Sequence, residues 1–263
     1  MNIEKIIAIV RETDAIFFDE KLRADVKMKG DADYVTRADI EISAYLHRRL
    51  GEEYPDIGFI SEEEDTTIDE ARDYFILDPI DGTTNFMHGL PMCGVSLGLY
   101  SHGEVVAGVI YVPYTGELFH AVKGQGAYLN GERIYCSKNA RLSDCVGLYE
   151  FNAYFKNEAD AAMAYARAIY TRCQDVRCLG SSAVELAYVA CAKADVFFGR
   201  YLKPWDFAAG LILVREAGGI LTDTEGEVHI GRLNQNIVAA NADAYDEFVA
   251  LIREAETEAN VDD

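Results

Sequence analysis

The 263-residue sequence predicts an α+β fold packed as one unit, and three observations carry that reading. Apolar residues recur at helical spacing at both ends of the chain. Between about residues 93 and 122 they fall in short runs separated by glycine-containing turns, the pattern of consecutive antiparallel strands. From about residue 158 onward, helical and strand-like segments alternate, with no repeat or linker composition between the two regimes. The expected division is an N-terminal α+β half over 1–140 and a C-terminal α/β half over 141–263.

In chain order, Ile3, Ile6, Ile7, Val10 and Phe17 predict an amphipathic helix over 3–20, followed by a polar, glycine-containing segment to about Val35. Ile40, Ile42, Tyr45, Leu46 and Leu50 predict a second helix, ended by Gly51 and followed by Pro55. Ile57 to Ile60 reads as a short strand leading into Ser61-Glu62-Glu63-Glu64-Asp65. Tyr74 to Leu77 reads as a buried strand ending at Asp78, because Pro79 has no backbone donor for a ladder. Strands are expected over 93–100, 104–112 and 116–122, broken at His102-Gly103 and Thr115-Gly116. Further on, helices are expected over 158–172, 182–192 and 205–217, and strands over 195–199, 219–222 and 237–240. A last helix over 243–255 precedes an acidic tail that is expected to fray.

The formal charge of −21 argues against nucleic-acid or anionic-membrane binding through net electrostatics. An anionic substrate would then need positive charge at its site, which bound divalent cations supply. Most of the acidity reads as a solvated surface. The six cysteines show no C-x-x-C pair and no zinc spacing, so buried free thiols in a reducing compartment are expected. Asn2-Ile3-Glu4-Lys5 opens an amphipathic helix rather than an apolar leader, and no run approaches a membrane span; a cytoplasmic location is expected.

The most informative stretch is Ile76-Leu77-Asp78-Pro79-Ile80-Asp81-Gly82-Thr83-Thr84-Asn85-Phe86. Two carboxylates on a tight turn at a strand end suit a hard divalent cation, which prefers oxygen ligands. Gly82-Thr83-Thr84 then offers backbone N–H groups at a helix start, a common way of holding phosphate. Together these suggest metal-assisted phosphoryl chemistry. The same residues also make good turn chemistry, since Pro, Asp and Gly each favour turns. Three further acidic clusters lie where a strand or loop meets a helix: Asp33 to Thr36 with Asp39, Glu62-Glu63, and Asp206 in Trp205-Asp206-Phe207-Ala208-Ala209-Gly210. From local sequence alone Asp206 reads more readily as an N-cap, and Trp205, the single tryptophan, as packing.

These four segments, in this order, resemble the inositol monophosphatase family. The closest matches are Asp78-Pro79-Ile80-Asp81-Gly82-Thr83-Thr84-Asn85-Phe86 and Pro204-Trp205-Asp206-Phe207-Ala208-Ala209-Gly210 running on to Glu216-Ala217-Gly218-Gly219. Asp33 to Asp39 and Phe59-Ile60-Ser61-Glu62-Glu63 fit in order and spacing, so the resemblance spans about residues 3 to 255. It implies a layered α-β-α-β-α sandwich and a Mg²⁺-dependent phosphomonoesterase with two to three ions per site. Carried over residue by residue, Glu62, Asp78 and the Ile80 carbonyl would hold one ion. Asp78, Asp81 and Asp206 would hold a second, and Glu62 with water a weaker third. An attacking water would be oriented by Glu62 and Thr83, with Asp39 holding the Thr83 hydroxyl. The N–H groups of Gly82 and Thr83 would bind phosphate. The resemblance also implies a homodimer.

Substrate choice is where the resemblance departs. Inositol-specific members carry a glutamate seven residues before the metal-binding aspartate, and here that position is Gly199. The segment gains Arg200 and Lys203 instead, which suit a more anionic substrate such as fructose 1,6-bisphosphate or a bisphosphorylated nucleotide, or else lie on the solvated surface. Ser181 and Ser182, in the Gly180-Ser181-Ser182 turn, are further expected substrate contacts, alongside Asp81, with Glu185 behind them. A small phosphorylated molecule is the expected partner. Some bacterial relatives also bind the transcription machinery, so a binding role is the alternative from a different class.

Overall fold

The computed structural model describes residues 2–30, 33–63, 69 and 71–259, without the side chains of Asp33, Glu258 and Ala259. Readings made for the Asp33 side chain, Glu64, Asp65 and residues 260–263 lie outside the described residues.

Asn2 caps helix α1 (Ile3–Arg11) by accepting from Lys5 N, and Ile6, Ile9 and Val10 bury one face. The single helix expected over 3–20 is instead three, with α2 (Asp14–Phe17) and α3 (Glu20–Ala24) following α1. The break falls at buried Thr13, whose hydroxyl turns back to donate to Val10 O at 2.7 Å. Asp19 restarts the chain by accepting from Lys21 N and Leu22 N. The polar segment before Val35 forms an antiparallel hairpin of β1 (Val26–Gly30) and β2 (Asp33–Thr36). Sequence gave no sign of β1 because the whole strand is exposed and carries no alternation. Thr36 and Asp39 then form a capping box that starts α4 (Arg37–Glu53), which runs through Gly51 instead of ending there.

A seven-stranded sheet follows in chain order: β3 (Gly58–Ser61), β4 (Tyr74–Asp81), β5 (Gly94–Ser101), β6 (Glu104–Val112), β7 (Glu117–Val122), β8 (Gly126–Leu129) and β9 (Glu132–Ile134). Only β3 and β4 pair in parallel; the other neighbours are antiparallel. Pro79 does not stop β4. Pairing with β5 resumes at Asp81↔Gly94 after a register shift between Asp78 and Asp81, so the missing N–H makes the ladder slip rather than end. Short helix α5 (Thr83–His88) follows.

The second sheet contains β10 (Val146–Glu150), β11 (Asp175–Arg177), β12 (Val196–Leu202), β13 (Gly219–Asp223) and β14 (Gln235–Asn241), in the order β11-β10-β12-β14-β13. Its helices are α6 (Ala159–Arg172), α7 (Ser182–Ala190), α8 (Pro204–Glu216) and α9 (Tyr245–Ala259). Strands β8 to β11 were not among the expected elements; each is five residues or fewer.

Three apolar clusters define five layers. α1 and α4 cover one face of the large sheet through Ile6, Ile9, Ile42 and Leu46 against Phe75, Leu77, Leu97 and Val109. α7 and α8 fill the space between the sheets, packing Val184, Leu186 and Ile212 against Ile76, Ile110 and Phe119 on one side and Leu148, Phe197 and Ile237 on the other. α6 and α9 cover the outer face of the small sheet through Tyr165, Ile169, Phe248 and Ile252. This is the α-β-α-β-α sandwich that the sequence implied.

Candidate active site

The parallel pairing of β3 with β4 brings Glu62 and Asp78 to the same sheet end: Ser61 lies opposite Leu77, and Glu62 N donates to Leu77 O at 3.2 Å. Asp81 follows on the slipped end of β4. Asp206 arrives from the middle layer, in the first turn of α8. That helix lies close against the large sheet because Gly98 and Gly108 leave room: a Cβ on Gly98 would meet Ala208 Cβ at 2.8 Å, and one on Gly108 would meet Ala209 O at 2.8 Å. Glu62, Asp78, Ile80, Asp81, Gly82, Thr83, Ser181, Ser182, Lys203 and Asp206 line one cavity of about 290 Å³.

Local bonds fix these groups. Asp78 Oδ1 accepts from Ile80 N at 3.0 Å, which closes the turn around Pro79. Asp81 Oδ2 accepts from Ser181 Oγ at 2.7 Å and from Ala183 N at 2.5 Å, so the start of α7 holds it in place. Asp206 is not the N-cap of α8; it sits at the third helical position and accepts from Lys203 N at 2.7 Å. The Thr83 hydroxyl donates to Ile80 O at 3.1 Å and lies 3.4 Å from Asp39 Oδ1. Asp39 spends its other oxygen on Thr36 N and the Thr36 hydroxyl. Gly82 caps α5 at φ +89°, and a Cβ there would meet Gly180 O at 2.9 Å. Asn85 Nδ2 donates to Met92 O and Leu179 O, both at 2.6 Å, tying the loop after α5 to the turn before α7.

Burial raises the pKa of every acid in the ring, and neighbouring acids add to it at Asp78, Asp206 and Glu62. Asp78 and Asp206 are pushed well above the carboxylate range, first by burial and then by the neighbouring acids. Burial lifts Glu62 to about 7 against the opposing pull of Lys29 and Lys203. Burial lifts Asp81 to about 6, resisted by its bond from Ser181. Asp39, buried behind Thr83, is likewise pushed to about 6. Four carboxylates with raised pKa values lining one cavity, with the Ile80 carbonyl beside them, fit a hard divalent cation. Glu62, Asp78, Asp81, Asp206 and the Ile80 carbonyl are the groups that would hold it.

Arg200, selected from sequence as a substrate contact, does not reach the cavity. It is 7 % exposed, its guanidinium donates to Glu158 at 2.6 Å and to the Tyr201 hydroxyl at 3.0 Å, and it lies over the Tyr165 ring. Lys203 does line the cavity, with its ammonium over Tyr154 and Trp205. At position 199 a Cβ would meet the side chains of Leu202 and Phe197 at 2.8 Å, so these two side chains occupy the space that a larger residue would need. Sequence reasoning missed Lys29, which pairs with Glu63 at 2.7 Å and approaches Glu62 at 4.0 Å. It also missed the wall formed by Glu150, Phe151, Asn152, Tyr154, Cys178 and Tyr201. The buried-thiol expectation fails at Cys178, which is exposed, and Cys191 is half-buried.

A five-layer sandwich with four acids from two adjoining layers around one cavity places the chain among proteins of inositol monophosphatase architecture. The chain belongs to the inositol monophosphatase family, whose model matches residues 3–258. It is 37 % identical over 228 residues to the fructose-1,6-bisphosphatase/inositol-1-monophosphatase of Thermotoga maritima, covering 87 % of this chain and 86 % of that one. It is 38 % identical over 231 residues to Nus factor SuhB of Escherichia coli K12, covering 88 % and 86 %. The solved structure of a Thermotoga maritima IMPase superposes with a TM-score of 0.87 at 35 % identity, covering 98 % of each chain. Among the described residues, no helix is long and apolar enough to cross a membrane.

Proposed function

We propose that this protein is a Mg²⁺-dependent phosphomonoesterase acting on a small phosphorylated polyol or sugar. The observation that carries the reading is the convergence of Glu62, Asp78, Asp81 and Asp206 with Thr83 on one cavity. When bound at these oxygens, divalent cations neutralise phosphate charge and lower the pKa of water. The chain's own part is positioning. Glu62, at the cavity wall, accepts the proton of the attacking water, and the Thr83 hydroxyl, held by Ile80 O and backed by Asp39, fixes that water's direction. The N–H groups at the start of α5 lack acceptors within their own helix and face the phosphate oxygens. Lys203, ringed by Tyr154 and Trp205, meets the rest of the substrate.

The name of the Thermotoga maritima relative supports fructose 1,6-bisphosphate as a substrate alongside inositol 1-phosphate. The relatives named Nus factor support a second reading, a binding role in transcription on the same fold. The deciding experiment measures phosphate release from inositol 1-phosphate, fructose 1,6-bisphosphate and adenosine 3′,5′-bisphosphate with Mg²⁺ or chelator. Mg²⁺-dependent turnover that falls by at least about a hundredfold in Asp78→Asn is expected. Wild-type turnover in that variant at saturating Mg²⁺ would sink the scheme, and no turnover in the native protein would favour the binding role.

A further inference from the structure

A second cluster lies in the wall of the cavity, and none of the steps above uses it. Glu150 ends β10, Cys178 stands in the turn before α7, and Glu185 lies on α7. Two carboxylate oxygens and the thiol sulfur from these residues lie within 4.8 Å of one another. Glu185 is fully buried; its Oε1 accepts from Leu179 N at 2.6 Å, while its Oε2 has no hydrogen-bond partner. Oε2 of Glu150 is buried and unpartnered as well. Burial first, then Glu185, Cys178 and Asp81, oppose the ionisation of Glu150, and a side-chain hydrogen bond between Glu150 and Glu185 forms when one of the two carboxyls carries a proton. Buried carboxylate oxygens without donors are costly unless a cation or proton joins them.

We propose that Glu150, Cys178 and Glu185 form a separate site for one borderline-soft divalent cation of the zinc type, with a fourth position open to the cavity. The sulfur decides the class of ion. Mg²⁺ takes oxygen ligands and is reluctant to dehydrate, whereas a thiolate with two carboxylates suits Zn²⁺ or Co²⁺. Bonds of about 2.0–2.3 Å to one ion would draw the three donor atoms together from their present spacing. Because Cys178 is exposed, the site is open to solvent for loading. A cation there would tie the end of β10 to α7 and to the turn that carries Ser181. The inference stands apart from the phosphatase reading, since it uses different residues and a different donor set.

The test is a Co²⁺ titration of the full chain in excess Mg²⁺, read as sulfur-to-cobalt charge-transfer absorption in the near ultraviolet. One equivalent per chain is expected, displaced by Zn²⁺, lost in Cys178→Ser and retained in Cys191→Ser. Glu150→Gln should weaken binding by about tenfold or more. Absence of the band in the native protein, or its survival in Cys178→Ser, overturns the proposal. Should Cys178→Ser fail to fold by circular dichroism, unchanged affinity in Glu150→Gln overturns it instead. A proton shared by the two carboxyls would give no band.

Discussion

Replacing Ser181 by alanine separates two roles that sequence alone left merged. Ser181 was expected to touch substrate, yet its hydroxyl is 1 % exposed at the residue level and donates to Asp81 Oδ2 at 2.7 Å. It also accepts from Val184 N at 3.4 Å as the N-cap of α7. Losing a cap costs about 1 kcal/mol, and losing a buried bond to a charged group costs about 1.5 kcal/mol or more. Ala183 N remains on the same Asp81 oxygen, so the lower end applies. The sum is about 2.5 kcal/mol of stability, a fall of roughly 5–10 °C in Tm for a chain of this size.

The effect on chemistry should appear in metal affinity. A hydrogen bond that orients a ligating carboxylate is worth about 10–100-fold in affinity. Since Ala183 N stays, Ser181→Ala should raise the Mg²⁺ concentration for half-maximal phosphate release about tenfold, with kcat at saturating Mg²⁺ within about threefold. The assay is a Mg²⁺ titration of turnover at fixed, saturating substrate. Unchanged half-saturation combined with a raised KM for substrate would refute the reasoning and return Ser181 to a direct substrate contact.

Three other outcomes follow from the geometry. Lys203→Ala should raise KM selectively for bisphosphates, whereas Arg200→Ala should lower Tm without a selective KM change, because Glu158 and Tyr165 hold its guanidinium away from the cavity; steady-state kinetics on both substrate classes checks this. Gly82→Ala should lose turnover and stability together, since its φ of +89° and the 2.9 Å approach to Gly180 O leave no relaxed position for a methyl group. Differential scanning fluorimetry with a phosphate-release assay measures both. In chelator, stability should fall as pH rises from about 4 to about 7. Asp39 and Asp81 near 6 and Glu62 near 7 are raised above unfolded values of about 4, so the folded state holds protons that the unfolded chain has released. The Tm gain on adding Mg²⁺ should therefore widen between pH 5 and pH 8; a gain that narrows would contradict this account.

Much of the site was legible because its chemistry is local. Asp78, Ile80, Asp81, Gly82 and Thr83 lie within six residues, so one strand end and one turn specify their placement. Glu62 was legible because it directly follows an apolar strand that pairs with β4. Arg200 misled because proximity in sequence to Lys203 suggests a shared role. The strand instead turns Arg200 toward Tyr165 of α6, while Lys203 lies past the strand end at the cap of α8. Lys29 was invisible because its strand, β1, has no buried residue to impose a pattern. The helix expected over 3–20 failed for a different reason: Thr13 satisfies Val10 O with its own hydroxyl, and tertiary packing of Phe17 on Phe86 sets the new direction. Pairing across β10 and β12, which sets Glu150 opposite Gly199, depends on contacts far apart in sequence and has no local signal.

The small residues of α8 explain why the acids meet at all. Asp206 follows a strand of the small sheet, and Asp78 and Asp81 end a strand of the large one, so the site exists only if the middle layer lies close to both. Gly98 and Gly108 remove two side chains from the large sheet, and Ala208 and Ala209 remove bulk from the facing turn of α8. Ser96 then donates to Trp205 O at 3.2 Å, which fixes the start of α8 beside β5. Close packing alone would bring four repelling carboxylates together at a cost, as their raised pKa values show. A divalent cation held by these acids would turn that cost into attraction between the large sheet and α8. Metal affinity, folding and turnover would then be tied to the one seam where that sheet meets the middle layer.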